Sequence, residues 1–521
     1  MSLEVKDDDI LKKSEESVRQ EEPTLEPHHD DDNGDDHPHS TEALLANASW
    51  QYKGIALFTT LMLSIGAHFS SMSMSAMKST MKTHLNIDNT RYGVVSSSVT
   101  IASTVLPMLG GMMADHFDGI WGTLGVSMMT VMGSLLTTLA AQSDTYALMV
   151  VGRLVFGIGS GLIVIMQQSI LSKWFRTHHL SVAIGWQLSM SHMASFLGQV
   201  VSNPLADATG SWVSPFWLSF GLCVFSIVTN IIYAGTLLHL QPKTKKEKEK
   251  KKRSINGILH FPFIFWLIIS IEFIYAGLWS AFQTVTTELV MMRLATSQTL
   301  AGYQASLSQV IPFVLSPILG LIIDIWGVRI SILGLSGICY LLSCYLLGWR
   351  TDVHPTVGLV FFSLSLACGP LTMITSIAML LPAAYIGTGL GIYKSINSTG
   401  TSILDILVGV VQDHTPGHTY AQVMLLFILL AAFGFALIIL LWALQRWNYH
   451  HLLECKKSIR MLKMKEASAT EQALVRQGIL PYDGTPVAKL HYIYLSLFFI
   501  SILVAWILFF VYSVSGHQPS F

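Results

Sequence analysis

Gly111-Met-Met-Ala-Asp115 follows the second long apolar stretch of this chain, and Gly320-Leu-Ile-Ile-Asp324 follows the eighth, with Gly327 and Arg329 just beyond it. The same Gly-x-x-x-Asp pattern therefore recurs at an offset of 209 residues, the difference between 320 and 111. A second set recurs in the same way between the fifth and eleventh stretches: Gly185, Ser189, Asp207 and Gly210 match Gly391, Ser395, Asp413 and Gly417. These coincidences predict two related halves.

The first pair of matches has a physical interpretation as a breakable latch. A short turn between antiparallel helices needs small residues for close approach, and a carboxylate there can cap a helix or pair with a base. Gly111, Asp115, Asp324 and Arg329 are therefore the predicted gating residues. The alternative interpretation, in which Gly and Asp merely end helices, explains any single copy of the pattern about as well. It explains the recurrence of the pattern in both halves less well.

The composition indicates a polytopic membrane protein. Hydrophobic residues make up 51% of the 521 residues, charged residues only 12%, and the mean hydropathy is +0.52, whereas soluble domains carry about 25% charge. Each apolar stretch has the roughly 20 residues that a helix needs to cross a bilayer, and none alternates like a barrel strand. Thirteen spans are predicted, at residues 53–76, 92–114, 122–141, 145–170, 180–202, 214–238, 259–283, 303–324, 328–348, 356–381, 386–411, 420–445 and 490–513.

The distribution of basic residues predicts the orientation. Clusters at 243–253 and 446–465 follow the sixth and twelfth spans, and loops rich in Lys and Arg face the cytosol. The N-terminus is then cytosolic too. The predicted organisation is a disordered cytosolic tail at 1–50, six-helix bundles at 51–241 and 258–447, a basic cytosolic linker at 242–257, a cytosolic segment at 448–488 and an extra transmembrane helix at 489–513.

The thirteenth span is expected to pack on the periphery of the other twelve or to recruit an accessory membrane subunit. If it crosses the bilayer, the C-terminus lies in the lumen or outside the cell. If it lies in the interface instead, the tail stays cytosolic.

Enzymatic chemistry is not expected. The five cysteines have neither a disulfide framework nor a zinc spacing, and the chain carries no P-loop and no catalytic constellation. We therefore predict no catalytic residue, no metal, no cofactor and no nucleic-acid partner.

Two related halves joined by a charged loop resemble the major facilitator superfamily. The segment Gly111–Gly119 looks like its loop signature, and Gly152–Gly159 (GRLVFGIG) resembles its span-four motif. The resemblance covers about residues 50–450 and implies an all-α fold of two six-helix bundles. It also implies a small-molecule substrate that binds near the bilayer midplane and alternating access to that site.

Several stretches are similar to the lysosomal dipeptide uniporter branch of that superfamily. They are Gly152–Gly159, Gln167 with Trp174-Phe175, Gly185–Met190, Gly387–Gly391, Ser395–Asn397 and Gly400. The resemblance implies export of short peptides from a lysosome or vacuole to the cytosol. The chain departs from the branch at Ser160-Gly161, where an acidic residue is expected, and at His192, where an arginine is expected.

Ionisable residues inside spans cost about 2.5–3.5 kcal/mol each on insertion scales and therefore need an explanation. They are His68, Arg153, His192, Glu272, Lys394 and Asp405. Because helices seven and eleven approach each other in the superfamily fold, Glu272 and Lys394 are candidates for a buried ion pair. We hypothesise that they replace the missing charges, Glu272 binding a substrate ammonium and Lys394 a substrate carboxylate. The alternative is an internal structural pair.

The predicted substrate-binding residues are Arg153, Gln167, Gln187, His192, Glu272, Lys394 and Asn397. For each one the alternative is structural: Arg153 can bond to neighbouring polar groups, His192 can be a satisfied polar residue rather than a group that titrates between pH 5 and 8, and amide side chains also tie helices together.

The predicted function is a dipeptide facilitator. A secondary transporter of organic anions or amino acids is favoured if Arg153 and Lys394 face the cavity without Glu272. A non-transporting membrane scaffold is favoured if apolar side chains seal the cavity.

Overall fold

A computed structural model describes residues 49–108, 119–175, 180–240, 255–350, 352–381, 385–448, 452–455 and 489–515, and every regular element in those ranges is helical. Residues 1–48 of the predicted N-terminal tail, the predicted gating residues Gly111 and Asp115 and the basic cluster at 243–253 lie outside the described residues. Most of the predicted cytosolic segment at 448–488 lies outside them too. Trp50, the last residue of the predicted tail, begins the first helix.

The helices of the first half have the following bounds: α1 Trp50–Met62, α2 Ile65–Ala76, α3 Lys78–Leu85, α4 Asn89–Ile101, α5 Gly119–Gln142, α6 Tyr146–Trp174, α7 Leu180–Thr209 and α8 Ser214–Leu240. Those of the second half are α9 Phe263–Leu294, α10 Gln298–Trp326, α11 Arg329–Gly348, α12 Pro355–Leu380, α13 Ile386–His414 and α14 Ala421–Asn448. The last helix is α15, Lys489–Ser515. We call the face at which α1 begins the proximal face and the face at which α3 ends the distal face.

Ten helical segments in the described ranges are long and apolar enough to cross a membrane, rather than the thirteen predicted. The predicted spans two, five and eleven are not among them. Span two runs into residues 109–118, which are outside the description. By length alone α7 and α13, with 30 and 29 residues, suffice for a crossing. They are less apolar because they carry polar side chains toward the interface between the halves.

Several helices continue past the predicted ends of their spans on the distal face. Helix α9 runs to Leu294 rather than 283, and α7 runs to Thr209 rather than 202. Only short turns separate α2 from α3 and α3 from α4, so the first span continues as helix to Leu85. The extra turns are polar, which is why the apolar pattern ended before the helices did.

The packing repeats between the halves. In the first half α2 packs on α7 and α8, α4 on α6, and α5 on α6 and α8. The equivalent pairs of the second half are α9 with α13 and α14, α10 with α12, and α11 with α12 and α14. Two further equivalent pairs, α4 with α13 and α7 with α10, join the halves. We call this junction the seam.

The largest apolar core lies in the second half around α9. Phe282 stacks on Phe362 with ring centroids 4.1 Å apart, and Tyr340 packs against both rings. The first half has separate smaller clusters, one near the proximal face around Trp174 and one near the distal face around Met81.

Helix α15 contacts both halves. Ala505 and Phe509 are buried with residues of α4 and α13, and Trp506 Nε1 donates to Thr104 Oγ1 at 3.1 Å. Nearer the proximal face, Phe498 packs on the core of the second half. The helix therefore covers one side of the seam, and its opposite side is exposed.

Glycines bring α9 and α13 into backbone contact beside the midspan. A Cβ added at Gly400 would lie 2.0 Å from the carbonyl oxygen of Phe273, and one added at Gly277 would lie 2.7 Å from the carbonyl oxygen of Gly400. Any side chain at these positions forces the two helices apart.

We therefore expect Gly400→Ala to destabilise the protein. Overpacking of this kind costs about 1–3 kcal/mol, so the melting temperature of the purified protein should fall. The matched control is Gly221→Ala on α8, because a Cβ there meets nothing within 4 Å. Equal melting temperatures for the two variants would contradict the close α9–α13 contact.

Candidate functional site

Glu272 on α9 and Lys394 on α13 are joined through Asn397. Asn397 Nδ2 donates to Glu272 Oε1 at 2.6 Å, and Lys394 Nζ donates to Asn397 Oδ1 at 3.2 Å. The predicted direct ion pair is not formed, because the amide of Asn397 lies between the two charged groups. Lys394 and Asn397 are three residues apart on one helix face, and the α9–α13 crossing brings Glu272 to them.

The three groups differ in exposure. Glu272 is fully buried and also interacts with the Tyr393 hydroxyl, whereas Lys394 and Asn397 are partly exposed. The ammonium, the amide and the carboxylate lie in a row in space. They offer hydrogen-bond donors and acceptors partway along α9 and α13. Such a row is complementary to a small solute that carries opposite charges at its two ends.

The first half contributes His192 and His68 to the same region. His192 Nδ1 lies 2.8 Å from Gln309 Oε1 on α10, and Gln309 Nε2 donates to Gln283 Oε1 at 2.6 Å. His68 interacts electrostatically with both His192 and Lys394. Partly exposed polar groups from both halves therefore meet at the seam.

Gln167 and Gln187 form a separate chain of hydrogen bonds. Gln187 Nε2 donates to Gln167 Oε1 at 3.1 Å, and Gln167 Nε2 donates to the carbonyl oxygen of Thr60 at 2.6 Å. Both glutamines are buried. The chain ties α7, α6 and α1 together inside the first half, although Gln187 Oε1 has no hydrogen-bond partner.

Arg153 is placed away from the seam residues. Its guanidinium donates to Ser70 Oγ at 3.3 Å and lies over the ring of Phe156, 5.0 Å from the centroid. It is buried within the first half and interacts electrostatically with Tyr92. The structure therefore does not bring Arg153 together with Lys394 and Glu272.

The predicted gating residues of the second half lie at the proximal face. Asp324 is in the last turn of α10, and Arg329 begins α11. Arg329 is buried, and its Nη1 donates to the carbonyl oxygen of Leu453 at 3.4 Å. This turn therefore holds the segment 452–455 that follows α14. Its partner turn around Gly111 and Asp115 lies outside the described residues.

A charged cluster that the sequence analysis did not identify closes the distal end of the seam. Lys78 Nζ lies 2.7 Å from Glu288 Oε2, and Lys82 Nζ lies 2.6 Å from Glu288 Oε1. The remaining donors of Lys78 reach Gln412 Oε1 and the Tyr420 hydroxyl, both at 3.0 Å. The lysines belong to the first half and the other three residues to the second. We call these five residues the distal latch.

Asp413 reinforces the distal latch by capping a helix of the other half. Its carboxylate accepts from the backbone N–H of Thr90 at 2.7 Å and from Asn89 Nδ2 at 2.8 Å, at the first turn of α4. Carboxylates are favourable at helix N-termini. On the other side of the seam, Asp207 accepts from Thr299 Oγ1 at 2.7 Å at the first turn of α10.

The repeat contained a signal for this closure. Asp207 and Asp413 are equivalent at an offset of 206 residues, and Lys82 and Glu288 have the same offset. Asp207 at the end of α7 and Asp413 at the end of α13 therefore each reach the first turn of a helix in the other half.

We expect Glu288→Gln to open the distal end of the seam. Removal of one partner from a buried ion pair costs about 3–5 kcal/mol, because Lys78 and Lys82 then lose their anion. Val408→Cys is a suitable reporter, since Val408 is 3% exposed and lies beside Lys78. Its labelling by a membrane-impermeant maleimide should rise by about tenfold or more, which corresponds to about 1.4 kcal/mol.

The matched control is Asp352→Asn, which removes an exposed ion pair with Arg350 on the same face but within one half. Exposed pairs contribute little, so labelling should not change. Equal labelling of the Glu288→Gln and Asp352→Asn variants would show that the distal latch does not hold the seam closed.

Comparisons with known proteins agree with this architecture. The sequence profile of the Major Facilitator Superfamily matches residues 59–293 and 268–520. The lysosomal dipeptide transporter MFSD1 of Bos taurus is 23% identical over 394 residues, which are 73% of this chain and 84% of that protein. The human protein of the same name is 23% identical over 421 residues, which cover 78% and 90% of the two chains.

A solved structure shows the same fold. A point mutant of the nucleoside transporter NupG superposes with a TM-score of 0.58 at 13% identity, covering 75% of this chain and 99% of that one. The profile match, the recurrent helix packing and the polar seam together establish that this chain is a multi-pass membrane protein of the Major Facilitator Superfamily, a family of transporters rather than enzymes.

Proposed function

We propose that this protein is a dipeptide uniporter of a lysosomal or vacuolar membrane that exports short peptides to the cytosol by alternating access. The proximal face is then cytosolic and the distal face luminal. The observation that carries the proposal is the row Glu272–Asn397–Lys394, which offers an anion, an amide and a cation at the seam.

The row suits a dipeptide zwitterion. The ammonium of the peptide pairs with the carboxylate of Glu272, and the carboxylate of the peptide pairs with the ammonium of Lys394. The peptide amide replaces the hydrogen bonds that Asn397 makes to these two residues. Each exchange replaces one charged hydrogen bond by another, so the desolvation of the peptide termini is compensated. His192 with Gln309 and His68 supply further polar contacts from the opposite side of the seam.

Alternating access fits the distribution of contacts across the seam. The distal latch and Asp413 join the halves at the distal face, so this conformation is closed toward the lumen. The partly exposed groups of Lys394 and Asn397 lie in the half of the seam nearer the cytosol. Luminal opening then requires that the distal latch break.

The similarity to the relatives named above, which are called lysosomal dipeptide transporters, supports the proposed location and substrate. The alternative in which Arg153 and Lys394 bind an organic anion has less support, because Arg153 lies within the first half. We also propose that α15 crosses the bilayer as a thirteenth span, with the C-terminus in the lumen.

We expect Glu272→Gln and Lys394→Gln each to reduce dipeptide counterflow into preloaded liposomes by about tenfold or more, a loss of about 1.4 kcal/mol. Each change removes the charge that pairs with one peptide terminus. A screen of dipeptides, amino acids, sugars and organic acids at pH 5 and pH 7 provides the substrate.

The control is Glu454→Gln, which removes a carboxylate that contacts Ser331 at the start of α11, outside the seam. Normal dipeptide transport by both seam variants, in monodisperse protein, would contradict the assignment of the site. Counterflow with organic anions alone would favour the anion transporter. The absence of any ligand-induced shift in melting temperature would favour a scaffold.

A tag fused after Phe521 tests the thirteenth span. In sealed organelles the tag should resist added protease until detergent is present, because the lumen encloses it. Digestion of the tag in intact organelles would place the C-terminus in the cytosol and α15 in the interface.

A further inference from the structure

Asp405 is a buried carboxyl beneath the distal latch. It lies on α13, about two turns before Asp413, and is 5% exposed. Ser96 Oγ on α4 donates to its Oδ2 at 2.8 Å, whereas its Oδ1 has no hydrogen-bond partner. A buried polar atom without a partner needs an explanation.

Lys78 is the cation that acts on Asp405 electrostatically, but its hydrogen bonds are committed elsewhere. A lysine ammonium has three N–H donors, and those of Lys78 are directed to Glu288, Gln412 and Tyr420. None is left for Asp405, which forms no ion pair with any described residue.

The groups around Asp405 on the other elements do not neutralise it either. Tyr92 of α4 directs its hydroxyl to the carbonyl oxygen of Met74, and Arg153 of α6 is directed to Ser70. Glu288 of α9 carries the same charge as an ionised Asp405. Helix α15 presents Ala505 and Phe509 at this level of the seam.

A small cavity connects Asp405 with the distal latch. Asp405, Lys78, Tyr92 and Thr284 are among the residues that line it. It leaves about 10 Å³ for the centre of a water molecule, which is the size of a single water site. The cavity therefore leaves room for one water molecule beside both Asp405 and Lys78.

Close packing of α4 and α13 shields the carboxyl from bulk water. A Cβ added at Gly93 would lie 2.5 Å from the carbonyl oxygen of Asp405, and one added at Gly409 would lie 2.4 Å from that of Asn89. This packing restricts the access of water to Asp405 while α4 and α13 are in contact.

We propose that Asp405 is a proton-binding site, which takes up one proton from the distal compartment as the seam closes and returns it to that compartment when the seam opens. In the closed seam the proton resides on Oδ1 and the carboxyl donates into the cavity, while Oδ2 accepts from Ser96. Burial of an unpaired carboxylate is costly, and one bound proton removes that cost without breaking the bonds of Lys78.

The site makes distal closure depend on acidity. Closure binds a proton, so an acidic distal compartment favours the closed seam, and a neutral one favours opening. The inference rests on the proposed alternating access but requires neither dipeptides nor a particular organelle, and it places a pH-sensing carboxyl outside the Glu272–Asn397–Lys394 row.

Infrared difference spectroscopy of the purified protein in lipid tests the site directly. Between pH 5 and pH 7 the wild type should show a protonated-carboxyl carbonyl band that is lost in Asp405→Asn but retained in Glu272→Gln, which removes a second buried carboxyl of the seam. Ser96→Ala should shift that band because its hydrogen bond is lost. Asp207→Asn, which changes an exposed carboxylate at the distal face, should leave the band unchanged. Identical spectra for the wild type and Asp405→Asn would overturn the proposal.

Labelling of Val408→Cys gives a second readout that needs no substrate. The labelling rate should be divided by that of an exposed Thr83→Cys at the same pH, because maleimide attacks the thiolate and its reaction slows as the pH falls. This ratio should fall by up to about tenfold per pH unit as the pH is lowered through the range in which Asp405 takes up its proton. In Asp405→Asn it should be low at both pH 5 and pH 7. If the labelling of Val408→Cys has the same pH dependence with and without Asp405→Asn, the proposal is overturned, even if dipeptide transport is observed.

Discussion

The closed seam depends on a buried ammonium that must satisfy three N–H donors inside the protein. Lys78 belongs to the first half, and all three acceptors, on Glu288, Gln412 and Tyr420, belong to the second. Separation of the halves at the distal face would leave a buried cation without partners unless water enters. Closure of the seam therefore excludes water at the same time. As long as the seam is closed, the midspan polar groups are shielded from the distal compartment.

The sequence could predict the helical architecture because lipid imposes a strong constraint on it. Apolar stretches of sufficient length predicted the ten spans that the described helices confirm, and the repeat offset predicted two related halves, which the recurrent helix packing matches. The same reasoning missed the distal latch. Lys78, Lys82 and Glu288 lie beyond the ends of the predicted spans 53–76 and 259–283, so the list of ionisable residues inside spans did not include them. The helices continue past the apolar run because their polar ends pair across the seam.

The candidate site was only partly predictable. Lys394 and Asn397 share a helix face by spacing alone, and Glu272 was expected near them through the family resemblance. The intervening position of Asn397 could not be predicted, because it depends on the Gly277–Gly400 contact that fixes the rotation of α9 against α13. The placement of Arg153 had no sequence signal either: a glycine-rich helix does not reveal which of its faces is turned to the seam.

Alternating access requires that the two halves rock about the polar seam, and the distance between the halves at the distal face measures this motion. Spin labels at Thr83 and Thr419, which are exposed and belong to opposite halves, can be measured by pulsed electron paramagnetic resonance in lipid. We expect two populations of distances, with the longer distance favoured when the distal latch is broken by Glu288→Gln. A single distance, unchanged by that substitution, by pH and by added dipeptides, would contradict alternating access.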